Sequence, residues 1–238
     1  MWEKPETARS VPPVRRSRRR WIVAGVVLVL ATGFSATFHR FLFLGNVGVV
    51  VEGKVYRSAQ PRHNVGALVN DYKLGSILNL RGGSEKNDWY VAEVADSRSL
   101  GVELYDFPMS AVRRPRRRDL LTILDVLDRC RYPLLIHCKS GSDRTGLAVG
   151  LYLMAKQGEP PERAEQAFSL SFGHVAIGGP QHLHEPFDEY AAWLSRQRLK
   201  HSPERLRDWI KQEYQADDPQ VDPPPIEPGP RHRGEPAE

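Results

Sequence analysis

The 238-residue chain is long enough to bury one sizeable hydrophobic core, and a second full domain would leave both cores small. Its formal charge of +5 is concentrated in the first twenty residues, which hold seven basic and two acidic side chains, while the other 218 residues carry 27 of each sign. This distribution argues against a nucleic-acid-binding domain. With only Cys130 and Cys138, the chain has no disulfide framework, and no Cys or His spacing is typical of a zinc site, so we expect neither a metal nor another cofactor.

An uncharged segment follows the basic tail of residues 1–20. From Trp21 to Phe38 the chain carries no charge, which is about the minimum length that spans a hydrocarbon core. The segment predicts a single membrane anchor over residues 21–44, with a cleaved secretory signal or a buried core helix as the alternatives. The arginines before it predict a cytoplasmic N-terminus, which places the rest of the chain on the outer face of the membrane.

Strand and helix patterns alternate through residues 47–198, which form one predicted domain. The predicted strands lie at 47–51, 54–57, 76–80, 102–107 and 134–137, and the predicted helices at 62–74, 89–100, 118–129, 146–156, 161–170 and 186–198. The alternation is typical of an α/β fold with a mainly parallel central sheet flanked by helices.

Two further segments follow this domain. Residues 199–216 are predicted to form a C-terminal helix. Residues 217–238 are dominated by Pro, Glu, Arg and Gly, a composition that predicts disorder.

The run at residues 137–146 reads His-Cys-Lys-Ser-Gly-Ser-Asp-Arg-Thr-Gly. A strand that ends in a cysteine, a short loop that contains glycine and an arginine in the first turn of a helix together form a bowl of backbone N–H groups, which is an anion site. The helix dipole, these amides and Arg144 are expected to lower the pKa of Cys138, so that its thiolate exists at neutral pH. The expected phosphate-binding residues are Lys139, Ser140, Gly141, Ser142, Asp143 and Arg144.

A thiolate beneath three phosphate oxygens can attack phosphorus in line, while the loop amides and Arg144 hold the oxygens. The motif therefore predicts a phosphatase that hydrolyses phosphomonoesters through a cysteinyl-phosphate intermediate, which water then clears.

Two motifs resemble known enzymes. The run His-Cys-x-x-Gly-x-x-Arg-Thr-Gly resembles the signature loop of the protein tyrosine and dual-specificity phosphatase superfamily. The segment Val-Tyr-Arg-Ser-Ala-Gln-Pro at 55–61 resembles the motif that opens the catalytic domain of the plant-and-fungal-type atypical dual-specificity phosphatases and their bacterial relatives. The likeness covers roughly residues 48–193 and implies a dual-specificity phosphatase-like fold.

The resemblance also implies roles for four residues. They are Cys138 as nucleophile, Arg144 as phosphate clamp, Thr145 as a hydroxyl that helps the thiolate leave, and His137 as a group that orients the loop.

The proton donor has two candidates. Asp106 lies 32 positions before Cys138 at the end of a predicted strand, near the place where the superfamily supplies an Asp, but its context is not Trp-Pro-Asp and a strand-end residue bonded to backbone fits equally. Asp143 directly precedes Arg144 and resembles bacterial phosphatases with Lys-Asp-Arg-Thr-Gly, in which that Asp donates the proton. Neither is needed when the leaving group is itself a phosphate.

A basic cluster precedes the fourth predicted helix. Its members are Arg113, Arg114, Arg116, Arg117 and Arg118. Such a run is either a solvated face or, with Lys139, a surface that attracts a multiply phosphorylated substrate. Two substrate classes follow: phosphotyrosine or other phosphorylated protein residues, and inositol phosphates or pyrophosphates. The alternatives from other classes are an inactive phospho-binding membrane module and a sulfurtransferase, which the Arg-Thr-Gly ending fits poorly.

Other polar residues have less specific patterns. His174, His182 and His184 lie in a Gly-rich stretch at no metal-ligand interval, so we expect surface or local hydrogen-bond roles. Cys130 closes a predicted helix and is either a plain helix-end cysteine or the partner of Cys138 in a protective disulfide.

Overall fold

The computed structural model describes residues 17–61, 64–214 and 222–230. The chain divides into two compact units, Met1–Thr37 and Phe38–Glu238. Helix α1 spans Ser17–Phe43. Within the described residues, no helix combines the length and the apolar character needed to cross a membrane. Most of the predicted basic tail lies outside the described residues.

A five-stranded sheet forms the centre of the second unit, in the order β1-β2-β5-β3-β4. Its strands are β1 (Gly48–Val51), β2 (Val55–Ser58), β3 (Ser76–Asn79), β4 (Glu103–Asp106) and β5 (Leu134–His137). The pattern predicts a mainly parallel sheet, and the sheet is mixed. β1 pairs antiparallel with β2 through a tight turn, whereas the pairs β2 with β5, β5 with β3 and β3 with β4 are parallel.

The helices cover both faces of this sheet. They are α2 (Val65–Tyr72), α3 (Asp88–Ser99), α4 (Arg117–Arg129), α5 (Asp143–Gln157), α6 (Pro161–Ala164), α7 (Glu185–Gln197) and α8 (Pro203–Gln212), with 3₁₀ turns at Glu165–Ala167, Leu170–Phe172 and Gly179–Leu183. Alternate strand residues separate into two clusters: Ile77, Leu104 and Leu135 pack with α2, and Leu78 and Ile136 pack with α4, α5, α7 and α8. The result is the three-layer α/β architecture that the alternation predicts.

The bounds of several predicted helices differ from the observed ones, and two of the differences have a clear physical reason. α5 begins at Asp143, three residues before the predicted start, because the carbonyl of Ser142 already accepts from Gly146 N–H at 2.8 Å. The predicted helix at 161–170 ends early because the backbone turns to an extended conformation at Phe168, whose ring packs against Gly146 and Phe187.

The described part of the C-terminal tail, residues 222–230, differs from the prediction of disorder. Gly229 pairs with Tyr105 of β4 and donates its N–H to the Leu104 carbonyl at 2.7 Å, and Arg129 donates to the Ile226 carbonyl at 2.8 Å. Composition does not reveal these contacts because they use backbone groups along the open edge of β4.

Candidate active site

The carboxyl ends of the parallel strands converge on one edge of the sheet, where polar residues end all four of these strands. Asn79 of β3 lies between His137 of β5 and Asp106 of β4 in the register, and Ser58 of β2 lies on the other side of His137. Cys138 follows directly after β5, the central strand, and its side chain is buried. Such edges are where open α/β sheets bind ligands.

The loop between β5 and α5 surrounds the Cys138 sulfur with donors. Gly141 donates its backbone N–H to Sγ at 3.3 Å, and Thr145 also lowers the pKa of the thiol. Burial alone raises the pKa of the thiol, but the Arg144 guanidinium and these donors outweigh it, so that the pKa of Cys138 lies below its ordinary value. The predicted nucleophile is therefore held as an activated thiol.

Gly141 is the one residue of the loop that must be glycine. Its φ is +74°, and a Cβ would lie 2.6 Å from the carbonyl carbon and oxygen of Ser58 in β2. The loop can therefore approach β2 closely only without a side chain at this position.

Gly141→Ala is expected to distort the loop and lower kcat/KM by roughly 10-fold or more, because a loop donor to the nucleophile must move. Gly158→Ala is the matched control, since Gly158 has φ +69° and no atom within 4 Å of the Cβ. We expect Gly158→Ala to lose about 1–2 kcal/mol of stability and to keep its activity. Steady-state kinetics and thermal unfolding of both variants measure this, and equal kcat/KM values would contradict the role given to Gly141.

Arg57, from the motif at 55–61, supports the back of the loop. Its buried guanidinium donates to the carbonyls of Gly141 at 2.8 Å, Ser142 at 3.3 Å and Ala167 at 2.7 Å, and lies 3.8 Å from the centre of the Phe172 ring. Arg57 thereby fixes the loop between β5 and α5 to the 3₁₀ turn at Glu165–Ala167. The motif therefore has a structural purpose that its sequence does not reveal.

A second support comes from the N-terminal side of the sheet. Asn46 donates from Nδ2 to the carbonyls of Ser140 at 2.8 Å and Phe172 at 2.9 Å, and the Ser142 hydroxyl donates to the Phe172 carbonyl at 2.6 Å. These bonds fix the loop to the 3₁₀ turn at Leu170–Phe172. Lys139, at the rim, is exposed.

Arg144 lies in the first turn of α5 beside the thiol. One terminal nitrogen donates to the carbonyls of Leu80 and Met109, both at 3.2 Å, which orients the guanidinium plane. Its Nε is buried and has no hydrogen-bond partner among the described residues. An anion bound over Cys138 can take this donor, as a phosphate clamp requires.

His137 lies behind the loop in a buried polar network. Its Nε2 is 2.8 Å from Oε1 of Glu93 on α3, both side chains are fully buried, and Asn79 donates to the other Glu93 oxygen at 3.3 Å. Burial alone lowers the pKa of His137, but the Glu93 carboxylate outweighs it and raises the pKa above its ordinary value. The raised pKa favours the protonated imidazole, and His137 directly precedes Cys138 in the chain.

The two candidate proton donors lie in different settings. Asp106 is two strands away from β5, about 10 Å across the sheet, and the Tyr90 hydroxyl donates to it at 2.6 Å. Asp143 is the first residue of α5, directly after the loop, and its Oδ1 is 2.8 Å from Nδ1 of His174.

The sequence comparison with known families matches residues 47–180 to a family described as a DSP-PTPase phosphatase fused to NAD+ kinase. This match covers more than half of the chain and includes the whole loop between β5 and α5. The chain belongs to this family of DSP-type phosphatases. The phosphatase fold and the reaction type predicted from the motif are thereby confirmed.

The chain is also similar to individual known proteins. The phosphatase is 33% identical to the inositol diphosphatase DSP1 of Oryza sativa subsp. japonica over 110 residues, which cover 42% of this chain and 46% of the rice protein. The match thus spans less than half of the rice protein. Among solved structures, the core catalytic domain of the PP-IP phosphatase SIW14 from S. cerevisiae is 27% identical with a TM-score of 0.50, over 64% of this chain and 93% of that one. TpbA of P. aeruginosa in complex with pTyr is 20% identical with a TM-score of 0.48, over 64% and 91% of the two chains.

The basic cluster is largely used within the phosphatase itself. Arg114 donates to both oxygens of Glu189 on α7, Arg116 pairs with Asp119, and the buried Arg117 donates to carbonyls at the end of α8. Arg113 is exposed. The cluster therefore mainly fastens the loop before α4 to the C-terminal helices, and little of its charge is directed at a substrate.

A disulfide between the two cysteines is excluded by their positions in the fold. Cys130 precedes β5 and Cys138 follows it, so the four-residue strand places them about 13 Å apart, beyond the reach of a disulfide. Burial also raises the pKa of Cys130 to about 11, which leaves its thiol protonated. Cys130 is a helix-end cysteine.

Proposed function

We propose that the phosphatase hydrolyses phosphomonoesters through a cysteinyl-phosphate, with Cys138 as nucleophile, Arg144 as phosphate clamp and Asp143 as proton donor. The observation that carries this proposal is the buried, activated Cys138 surrounded by loop N–H groups at the start of α5. The sulfur attacks phosphorus as the bond to the leaving oxygen breaks, and Asp143 protonates that oxygen. Water then attacks the cysteinyl-phosphate, gives its proton to Asp143 and releases phosphate and the thiolate.

Asp143 is preferred to Asp106 on position and on contacts. It is the first residue of α5, directly after the loop proposed to bind the phosphate, whereas the Asp106 carboxylate accepts from Tyr90 at the edge strand of the sheet. The family resemblance to loops with Asp before the arginine supports the same choice. Thr145, which lowers the pKa of the thiol, helps the thiolate leave in the second step.

The substrate class is proposed on two grounds. A proton donor built into the loop suits phosphotyrosine and other protein phosphoesters, because the oxygen of an alcohol or a phenol needs a proton to leave. The similarity to a rice inositol diphosphatase and to the yeast PP-IP phosphatase SIW14 favours a second candidate, an inositol phosphate or pyrophosphate.

Phosphate release from a panel of phosphopeptides and a panel of inositol phosphates and pyrophosphates tests both classes. We expect kcat/KM to be at least about 10-fold higher for one panel than for the other, because a pocket that pairs with the polar groups of one substrate rejects a substrate that lacks them. Cys138→Ser provides the background for each substrate. Release no faster than this background from either panel would overturn both substrate proposals.

We also propose that residues 21–44 attach the phosphatase to a membrane in a single pass, with the N-terminus cytoplasmic and the catalytic domain on the outer face. The uncharged run after a basic tail supports this, and the large apolar side chains that the structure describes from Trp21 to Leu30 are all more than half exposed. A reporter active only outside the cytoplasm and fused after Glu238 should be active in the membrane fraction. Activity confined to the soluble fraction would contradict the proposal.

A further inference from the structure

Four side chains form a continuous hydrogen-bonded chain that begins at the catalytic loop. Oδ1 of Asp143 is 2.8 Å from Nδ1 of His174, Nε2 of His174 is 2.7 Å from Nε2 of His184, and Nδ1 of His184 is 2.7 Å from Oε1 of Glu165. The chain leads from the proposed proton donor to a carboxylate in the turn after α6, whose side chain is 39% exposed.

The two imidazole rings are held in place by packing. His174 is buried, and the Phe168 ring stacks on His184 with centres 4.1 Å apart and contacts His174 at 4.9 Å. Phe168 in turn fills the space over Gly146, the second residue after Arg144. The chain is therefore a built feature of the fold rather than a chance contact of mobile side chains.

The three hydrogen bonds that link Asp143, His174, His184 and Glu165 need one proton each. A carboxylate oxygen only accepts a hydrogen bond, so the contacts to Asp143 Oδ1 and to Glu165 Oε1 each need a ring N–H as donor. The contact between the two rings needs a third N–H group. Two neutral imidazoles have only two N–H groups. The three contacts therefore hold three protons, which the rings of His174 and His184 share with their carboxyl partners.

We propose that His174, supported by His184 and Glu165, is a positioning residue for Asp143 in the proposed phosphatase reaction. Oδ1 of Asp143 is occupied by His174, and Oδ2 makes no hydrogen bond within the described part of the chain. Oδ2 is therefore the oxygen that carries the transferable proton. A ring N–H of His174 on Oδ1 orients this carboxyl group and stabilises the carboxylate that develops when the proton leaves. The inference rests on the proposed function.

The proton balance closes over one turnover. In the first step the sulfur–phosphorus bond forms, the phosphorus–oxygen bond breaks, and its electron pair on the leaving oxygen takes the proton from Oδ2 of Asp143. In the second step water attacks phosphorus, the sulfur–phosphorus bond returns its electron pair to Cys138, and a water proton restores Oδ2. The protons of the three contacts stay in place throughout, so His174 acts by orientation and charge.

The consequence is a dependence on the leaving group. Asp188 of α7 also interacts electrostatically with His184 and Glu165, at the end of the hydrogen-bonded chain remote from Asp143. Removing His174 should therefore impair only reactions in which Asp143 must give up a proton. Esters of poor leaving groups belong to this class, and esters of stable anions do not.

The test compares two aryl phosphates in the full-length chain. Phenyl phosphate needs a protonated leaving group, whereas dinitrophenyl phosphate does not. For His174→Asn and for Asp143→Asn, we expect kcat/KM to fall roughly 10- to 100-fold with phenyl phosphate and less than about threefold with dinitrophenyl phosphate. His201→Asn is the matched control, because His201 bonds to Tyr190 and the Met154 carbonyl, away from the loop. We expect this control variant to keep the wild-type ratio of the kcat/KM values for the two substrates.

The outcomes separate the inference from the proposed function. If His174→Asn lowers kcat/KM equally for both substrates or changes neither, the positioning role is wrong while the phosphatase proposal stands. If Asp143→Asn leaves the ratio of the two kcat/KM values unchanged, the proton-donor role of Asp143 fails together with the positioning role, while the nucleophilic role of Cys138 stands. If the wild-type chain hydrolyses neither aryl phosphate faster than Cys138→Ser, the proposed function fails first. Circular dichroism and thermal unfolding confirm that each variant is folded.

Discussion

Cys138→Ser is expected to lower kcat/KM by roughly 10⁴-fold or more for every phosphate ester, which is the largest effect in the molecule. The loop lowers the pKa of a thiol by charge and by donors to the sulfur, but a serine hydroxyl stays protonated in the same setting. The nucleophile is therefore lost although the anion site remains. Steady-state kinetics on an aryl phosphate measures the loss.

Cys130→Ser is the matched control for this variant. Cys130 lies at the opposite end of β5 from the loop, and burial keeps its thiol protonated. We expect wild-type kinetics after correction for the folded fraction. A comparable loss in both variants would show that a thiol is needed for stability rather than for attack.

The acid side of the pH profile provides a related check. Only the thiolate attacks, and the lowered pKa of Cys138 means that this form persists below the pH at which an ordinary cysteine is protonated. Inactivation by iodoacetate should therefore remain fast at neutral pH and slow only as the pH falls through the lowered pKa. Inactivation that slows already near the pKa of an ordinary thiol would contradict the activation mechanism.

Arg144→Lys is expected to lower kcat/KM by roughly 10²- to 10³-fold, the second largest effect. Lysine keeps the positive charge but cannot reproduce the planar guanidinium that the Leu80 and Met109 carbonyls orient. The Nε donor, buried and without a partner in the described residues, would also be lost. Steady-state kinetics measures the change in kcat/KM. Arg113→Lys is the control, because Arg113 is an exposed member of the basic cluster, and it should keep the wild-type kcat/KM.

Arg144→Met separates the charge of this residue from its geometry. The arginine charge is the largest of the effects that lower the pKa of Cys138 against burial. Removing it should raise that pKa, so the pH at which iodoacetate inactivation slows should move upward, whereas in Arg144→Lys it should stay close to the wild-type value. The same profile in Arg144→Met and in the wild type would show that Arg144 does not act on the thiol.

The sequence predicts the part of the candidate site whose residues are contiguous in the chain. The strand that ends at His137, the loop around Gly141 and the helix that carries Arg144 are contiguous, so their residue types and order specify both geometry and chemistry. The hydrophobic periodicity places the five strands to within a residue or two for the same reason.

The remaining features depend on contacts between distant segments. Arg57 bonds to the Gly141 carbonyl 84 residues away, and Arg114 bonds to Glu189 75 residues away. No spacing rule connects such pairs, so the basic cluster resembles a substrate-binding surface until its partners on α7 are known.

Some of these residues do leave a signal in the sequence. Tyr90, Glu93 and Ser97 occupy successive turns of one face of α3, and all three are buried. A charged residue on the buried face of a helix indicates a buried partner, which is His137 in the fold. His174 and His184 have no comparable signal, because the contact between their rings depends on the path of the loop between two 3₁₀ turns.

The most direct test is to trap the cysteinyl-phosphate. The full-length phosphatase is mixed with an aryl phosphate, quenched in acid within milliseconds and digested, and the peptide that contains Cys138 is examined by mass spectrometry. We predict one added phosphoryl group on Cys138, absent without substrate and absent in Cys138→Ser. Turnover of the same substrate with no phosphorylated Cys138 at any quench time, or with the phosphoryl group on another residue, would contradict covalent catalysis by Cys138.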